Sequence, residues 1–164
     1  MADASTRPSR SQLGRESLAP ALLAIALALR VTKVTGEIGL EPLLLFLIIF
    51  LWTPPHFWAL ALRMREDYAA AGVPMLPVVR GDDETRRQIF LYSLVLFAVT
   101  LVLIPIASMG PVYTATAVAL GGAFVYRCLQ LWREPTDDRS WRVFKFSLLY
   151  LAGLFVAVAL DALV

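Results

Sequence analysis

The sequence is poor in the side chains that build most metal and redox sites. Its 164 residues include one cysteine, Cys128, and one histidine, His56. A single cysteine excludes an intrachain disulfide and a cysteine metal cluster. Cys128 lies in an apolar segment and reads as a small helix residue. Lysine is scarce and charged residues make up only 17% of the chain. The formal net charge of +2 gives no broad basic surface, so nucleic acid is not an expected partner. No internal repeat of solenoid period is visible. What the sequence has in excess is apolar surface. It is 59% hydrophobic with a mean hydropathy of +0.68, against about 45–50% apolar in soluble domains. The excess is gathered into blocks, the pattern of a membrane protein.

Residues 42–62 form the clearest block, interrupted only by Thr53 and His56 as polar side chains. At about 1.5 Å per residue it can cross a hydrocarbon core of about 30 Å. Residues 89–107, 109–126 and 143–160 are three further spans, with Lys145 placed to snorkel to the interface. Residues 18–29 are apolar but short, flanked by Arg15 and Arg30. They fit either a signal peptide or a short, tilted membrane helix. The expected fold is all-α, a polytopic transmembrane helix bundle of four to five spans. Residues 1–16 are polar and read as a disordered tail. The membrane domain then occupies 17–164.

Arginine sets the orientation. Segment 63–88 carries Arg63, Arg65, Arg80, Arg86 and Arg87, and segment 131–142 carries Arg133, Arg139 and Arg142. The turn near 108–111 has no charge. The two arginine-rich segments are therefore cytoplasmic. Parity places residues 36–41 and the C-terminus outside. If 18–29 crosses, Arg7, Arg10 and Arg15 fall inside, which favours five spans over four.

The stretch 50–77, FLWTPPHFWALALRMREDYAAAGVPMLP, departs from a plain membrane helix. Pro54 and Pro55 remove two backbone donors and are expected to bend or break the helix. The freed carbonyls then need protein or a wet cavity. A histidine inside a span is a candidate functional residue, or else a polar group that satisfies a kinked backbone. Trp52, His56, Ala59 and Arg63 are spaced to share one helix face. Continued helically, Asp67 joins that side. Glu66, Asp67 and Tyr68 beside arginines suit an anion held through a metal, because carboxylates grip Mg²⁺ and arginine grips phosphate oxygens. A solvated, salt-bridged loop is the alternative. Residues 71–74, Ala-Gly-Val-Pro, signal a turn, and 81–85, Gly-Asp-Asp-Glu-Thr, a second break. Thr85 is the expected cap of the next helix. Its preceding acids suit the helix N-terminus, or alternatively a cation.

WTPPHFWALAL, then EDYAAAGVPMLPVV, then GDDETRRQI with Tyr92, resemble protohaem IX farnesyltransferases (haem O synthases). These are UbiA-type intramembrane prenyltransferases. VTGEIGLEPLLLFLIIF, which precedes these motifs, fits the same family. The resemblance runs from residue 34 to 164. It implies about half of a nine-helix bundle with a cytoplasmic-facing cavity. It also implies transfer of a farnesyl group from farnesyl diphosphate to a vinyl group of haem B, giving haem O. The product would supply a later haem A synthase. In such enzymes two Asp-bearing regions hold the diphosphate through Mg²⁺, so that an allylic cation can form. Aromatic rings can stabilise that cation.

Carried onto this sequence, the resemblance puts His56 on the haem side of the cavity. It assigns Asp67 to Mg²⁺–diphosphate and Tyr68 to the same loop. Arg63 and Arg65 become partners for diphosphate or haem propionates. Trp52 and Trp58 line the prenyl or porphyrin path, or serve packing and interface anchoring. Nothing in residues 1–41 matches the family's first Asp motif. The expectation is a chain without the N-terminal half, either active or a non-catalytic half-bundle that needs a partner half. Abundant Ala, Leu and Arg suggest a GC-rich bacterium and its cytoplasmic membrane, with the mitochondrial inner membrane as the alternative.

Overall fold

The computed structural model describes residues 39–163. The expected polar tail and the short apolar segment 18–29 lie outside the described residues. Six helices follow in order: α1 Leu40–Arg63, α2 Arg65–Ala70, α3 Leu76–Arg80, α4 Asp82–Ile106, α5 Pro111–Arg133 and α6 Asp137–Asp161. No strand occurs among the described residues. α1, α4, α5 and α6 are long and apolar enough to cross a membrane. They run alternately inward and outward. α1 packs on α4 and α6, α4 on α5, and α5 on α6, so the four close into a ring of antiparallel neighbours.

The helices are longer than the apolar blocks. α4 begins at Asp82 rather than 89, and α6 at Asp137 rather than 143. Charged first turns carry both helices beyond the hydrocarbon. Asp82, Asp83 and Glu84 stand at the start of α4, and Asp137 and Asp138 at the start of α6, where the helix dipole favours carboxylates. Thr136 caps α6 by accepting the Arg139 backbone N–H at 3.2 Å. Thr85 does not cap α4. It is buried in the first turn and its hydroxyl donates back to the Gly81 carbonyl at 2.7 Å. The true break is Gly81, at φ 83°, a conformation that suits glycine. Gly72, at φ 67°, makes the other expected turn.

The proline pair does not break α1, which continues through Pro54 and Pro55. Pro55 is buried in the bundle, and the Thr53 hydroxyl donates to the Ile49 carbonyl at 2.8 Å. The carbonyls of Phe50 and Leu51 lose their helical donors, a cost that packing on both flanks of α1 outweighs.

The ring interior is filled by Ile48, Ile89, Leu96, Leu103, Phe124, Leu131 and Leu154, with Cys128 among them. Phe50, Val95, Val118, Leu149 and Val156 are exposed on the outside, the side open to lipid or to further helices. A polar cluster is buried between α4, α5 and α6. The Thr100 hydroxyl donates to the Leu96 carbonyl at 2.8 Å, so at 2.6 Å it accepts from the Tyr150 hydroxyl. The Tyr113 hydroxyl donates to the Thr100 carbonyl at 3.0 Å. Three helices thus meet at one threonine. Replacing Thr100 with Val should strand the Tyr150 hydroxyl. A loss of about 1 kcal/mol, the usual scale of such bonds inside membranes, is expected in unfolding by sodium dodecyl sulfate from mixed micelles.

Candidate functional site

Trp52, His56, Ala59 and Arg63 lie on one face of α1, and α6 covers that face. Trp52 stacks on His56 with centroids 4.3 Å apart, and Phe144 stacks on the histidine at 4.6 Å. Trp141 stacks on Phe144 at 5.0 Å. Arg63 reaches the end of this column with its guanidinium carbon 5.1 Å from the Trp141 centroid. Lys145 sets its Nζ 5.8 Å from the same ring. The column therefore ends in two cations at the arginine-rich mouth, where cation–π attraction is favourable.

Polar contacts fix the same pair of helices. The Trp52 indole N–H donates to the Ser147 carbonyl at 2.8 Å. His56 Nδ1 lies 2.7 Å from the Ser147 hydroxyl oxygen. That hydroxyl donates its one proton to the Phe144 carbonyl, also at 2.7 Å. With its proton on that carbonyl, the hydroxyl accepts from Nδ1–H. The neutral ring then carries its proton on Nδ1 and keeps a lone pair on Nε2. Nε2 makes no hydrogen bond among the described residues. It is not one of the fully sealed, unpartnered polar atoms either. His56 is 8% exposed.

Trp58 belongs to another face. It meets Tyr92 of α4 edge-on at 5.3 Å and does not join Trp52. Tyr92 lines an apolar recess of about 290 Å³ with Leu51, Gln88, Leu91 and Val95. The two tryptophans thus flank α1 on opposite sides.

The charged residues stand together at one end of the bundle. The helix does not run straight into Asp67, because Met64 (φ −103°, ψ 26°) separates α1 from the short α2. Glu66 and Asp67 open α2 and both are exposed; Tyr68 is half-buried. The Asp67 carboxylate has no partner among the described residues. Arg65 turns the other way and pairs with Asp82 at 3.2 Å, remaining half-exposed. This ties α2 to the first turn of α4. The other Asp82 oxygen is buried without a partner, beside a cavity of about 100 Å³ lined by Leu62, Arg86, Thr136, Asp137 and Ser140.

No group of three metal-ligating side chains occurs among the described residues. Mg²⁺ commonly binds through one or two carboxylates with phosphate and water supplying the rest. Glu66 and Asp67, exposed beside Arg63 and Arg65, fit that partial role. Sequence reasoning found His56 and its column but missed Ser147, Phe144 and Trp141, which complete it from α6. The aromatic spacing 141–144 was the available signal, since three apart on a helix places two rings on one face.

A face of stacked aromatics thus runs along the apolar lengths of α1 and α6 and ends beside exposed carboxylates and arginines. The UbiA prenyltransferase family model matches residues 17–156, and the chain belongs to that family. The match begins well before residue 34, where the resemblance was expected to start. Proteins named "Protoheme IX farnesyltransferase" are similar to it. That of Gloeobacter violaceus is 53% identical over 131 residues, covering 79% of this chain and 43% of the relative. That of Bordetella avium is 52% identical over 134 residues, covering 82% and 45%. That of Roseiflexus sp. strain RS-1 is 53% identical over 131 residues, covering 80% and 24%. The chain thus spans less than half the length of these relatives. No solved structure matches it.

Proposed function

We propose that this chain forms one wall of a haem-farnesylating site. The reaction is transfer of the farnesyl group of farnesyl diphosphate to a vinyl group of haem B, giving haem O for haem A biosynthesis. The observation that carries the reading is the column Trp52–His56–Phe144–Trp141. It offers flat apolar surfaces and one imidazole lone pair to a porphyrin inside the membrane, and it ends in Arg63 and Lys145, which can face carboxylates. The names of the relatives support the same substrate.

In this reading Asp67, with Glu66 beside it, holds Mg²⁺ at the membrane surface. When bound there, Mg²⁺ would supply charge neutralisation for the leaving diphosphate, which keeps the electron pair of its bond to farnesyl. The vinyl π pair forms the new carbon–carbon bond, and water adds at the adjoining vinyl carbon with loss of a proton. Arg63 and Arg65 add charge-assisted hydrogen bonds to diphosphate or propionate oxygens. Tyr68 borders the same loop. Tyr92 lines the apolar recess on the other side of α1, with Trp58 edge-on against it, a surface suited to an isoprenoid chain. In this reading the arginine-rich mouth faces the cytoplasm, and the membrane is a bacterial cytoplasmic one.

The test uses membranes holding the chain, supplied with haem B, farnesyl diphosphate and Mg²⁺. Farnesylated haem is the expected product, read by mass spectrometry. A second arm adds a co-expressed N-terminal half of a relative. α2 brings only Glu66 and Asp67 to the proposed metal, which favours a second reading, in which the opposite half supplies further metal ligands. Product only in the second arm supports that reading. Product in neither arm, with the protein correctly inserted, overturns both. In the active arm, His56→Ala should weaken haem binding while farnesyl diphosphate binding stays unchanged.

A further inference from the structure

We propose that Ser147 is a positioning residue that sets the tautomer of His56, so that Nε2 offers its lone pair to an electrophilic ligand, the iron of a porphyrin. The ligand rests on the function proposed above, whereas the tautomer rests on geometry alone. The serine hydroxyl is bound on two sides. It reaches the Phe144 carbonyl of its own helix and the imidazole Nδ1, both at 2.7 Å, and with its one proton on the carbonyl it receives from the imidazole. The ring cannot turn to escape this. Trp52 and Phe144 cover its two faces at 4.3 and 4.6 Å, both within 24° of parallel. A ring flip would put Nδ1 where a carbon now stands and leave the serine oxygen without its donor. The two faces and the Nδ1 edge are occupied. The remaining edge, which carries Nε2, is the one that no polar group of the described residues takes.

Metal-binding histidines show this division of labour. One ring nitrogen donates to a neighbouring oxygen and the other ligates, and the donor bond fixes both tautomer and orientation. Here that neighbouring oxygen comes from the last helix of the ring. The bond to a hydroxyl is neutral, so Ser147 orients the ring without drawing its proton away. A merely structural histidine would have both nitrogens satisfied in the packed interior, and this one does not within the described residues.

His56 is the only histidine of the chain, so ¹⁵N-histidine labelling reports one ring. The chain is prepared in lipid nanodiscs and its ring nitrogens are read by solid-state NMR near neutral pH. The wild type should show a protonated Nδ1 and an unprotonated Nε2. Ser147→Ala should lose that pattern and give the reverse tautomer or a mixture. Ser147→Thr, which keeps the hydroxyl, should restore it. Addition of iron protoporphyrin IX should then shift the Nε2 signal of the wild type and of Ser147→Thr. A wild-type ring protonated on Nε2, or a tautomer unmoved by Ser147→Ala, would overturn the proposal. An Nε2 signal untouched by the iron porphyrin would overturn the ligand assignment. Absence of farnesyl transfer with these NMR results intact would count against the enzymatic reading alone.

Discussion

Asp67→Asn is expected to lower farnesyl transfer by about 10²–10³-fold, the scale on which loss of one group that stabilises developing charge is felt. The substitution removes a negative charge from an exposed carboxylate on α2. It leaves shape and helix propensity nearly unchanged. Mg²⁺ would lose a strong oxygen ligand at the membrane surface, and the departing diphosphate would lose part of its neutralisation. The measurement is product formation across a Mg²⁺ titration. A metal-ligand role predicts a raised Mg²⁺ requirement together with the lower rate. Glu66→Gln serves as the comparison, with a smaller loss if Asp67 is the principal ligand. Equal activity of Asp67→Asn and the parent at all Mg²⁺ concentrations would remove Asp67 from the mechanism. Folding should be untouched, since the side chain has no partner among the described residues.

Gly121→Ala should destabilise the bundle by about 1–3 kcal/mol, the usual cost of overpacking. The added Cβ would stand 2.7 Å from Phe97 Cε2 and closer still to Cδ2. The glycine lets α5 approach α4 at the level of a large ring. Membrane helices associate through close van der Waals fit rather than through expulsion of water, so a lost fit is not repaid by solvent. Gly122 is the internal control. A Cβ there meets nothing within 4 Å, and Gly122→Ala should change stability by less than about 0.5 kcal/mol. Both are read as midpoints of unfolding by sodium dodecyl sulfate. Phe97→Leu in the Gly121→Ala background should recover part of the loss, because the two sites touch and their effects do not add. Equal midpoints for the two alanine variants would refute the close-approach account.

The bundle was legible because hydropathy is a local property. Each of the four spans could be found without knowing its neighbours. Their ends were misjudged for a related reason. Asp82 to Gln88 and Asp137 to Arg142 are charged, yet they continue the helices into water through ion pairs one turn apart, such as Arg87 with Glu84 and Arg142 with Asp138. Hydropathy stops at the membrane surface, but the helix does not. The proline pair does not break α1, because its penalty is local and its compensation is tertiary.

The candidate site divides along the same line. The column on α1 followed from helical spacing alone. What completes it, Ser147 and the rings of Phe144 and Trp141, comes from a helix about ninety residues later, and sequence spacing carries no information about which helices will touch. Arg65 shows the converse. Its ion pair with Asp82, at the start of α4, was not visible in its neighbours along the chain. Trp52 and Trp58, similar in sequence terms, were separated only when α1 acquired a neighbour on each side.

The 91-residue separation between His56 and Ser147 also has a consequence in time. Chains grow at about 5–20 residues per second, so α1 leaves the ribosome some 5–20 seconds before the serine that orients its imidazole. During that interval the membrane already holds α1, α4 and α5 while the histidine lacks its α6 partner. The site is therefore the last part of the ring to be assembled. A chain cut short before α6 would insert its first spans normally and still present a ring free to take either tautomer. Quality control that senses haem loading would distinguish such a chain from the finished one, although their first three membrane helices are identical.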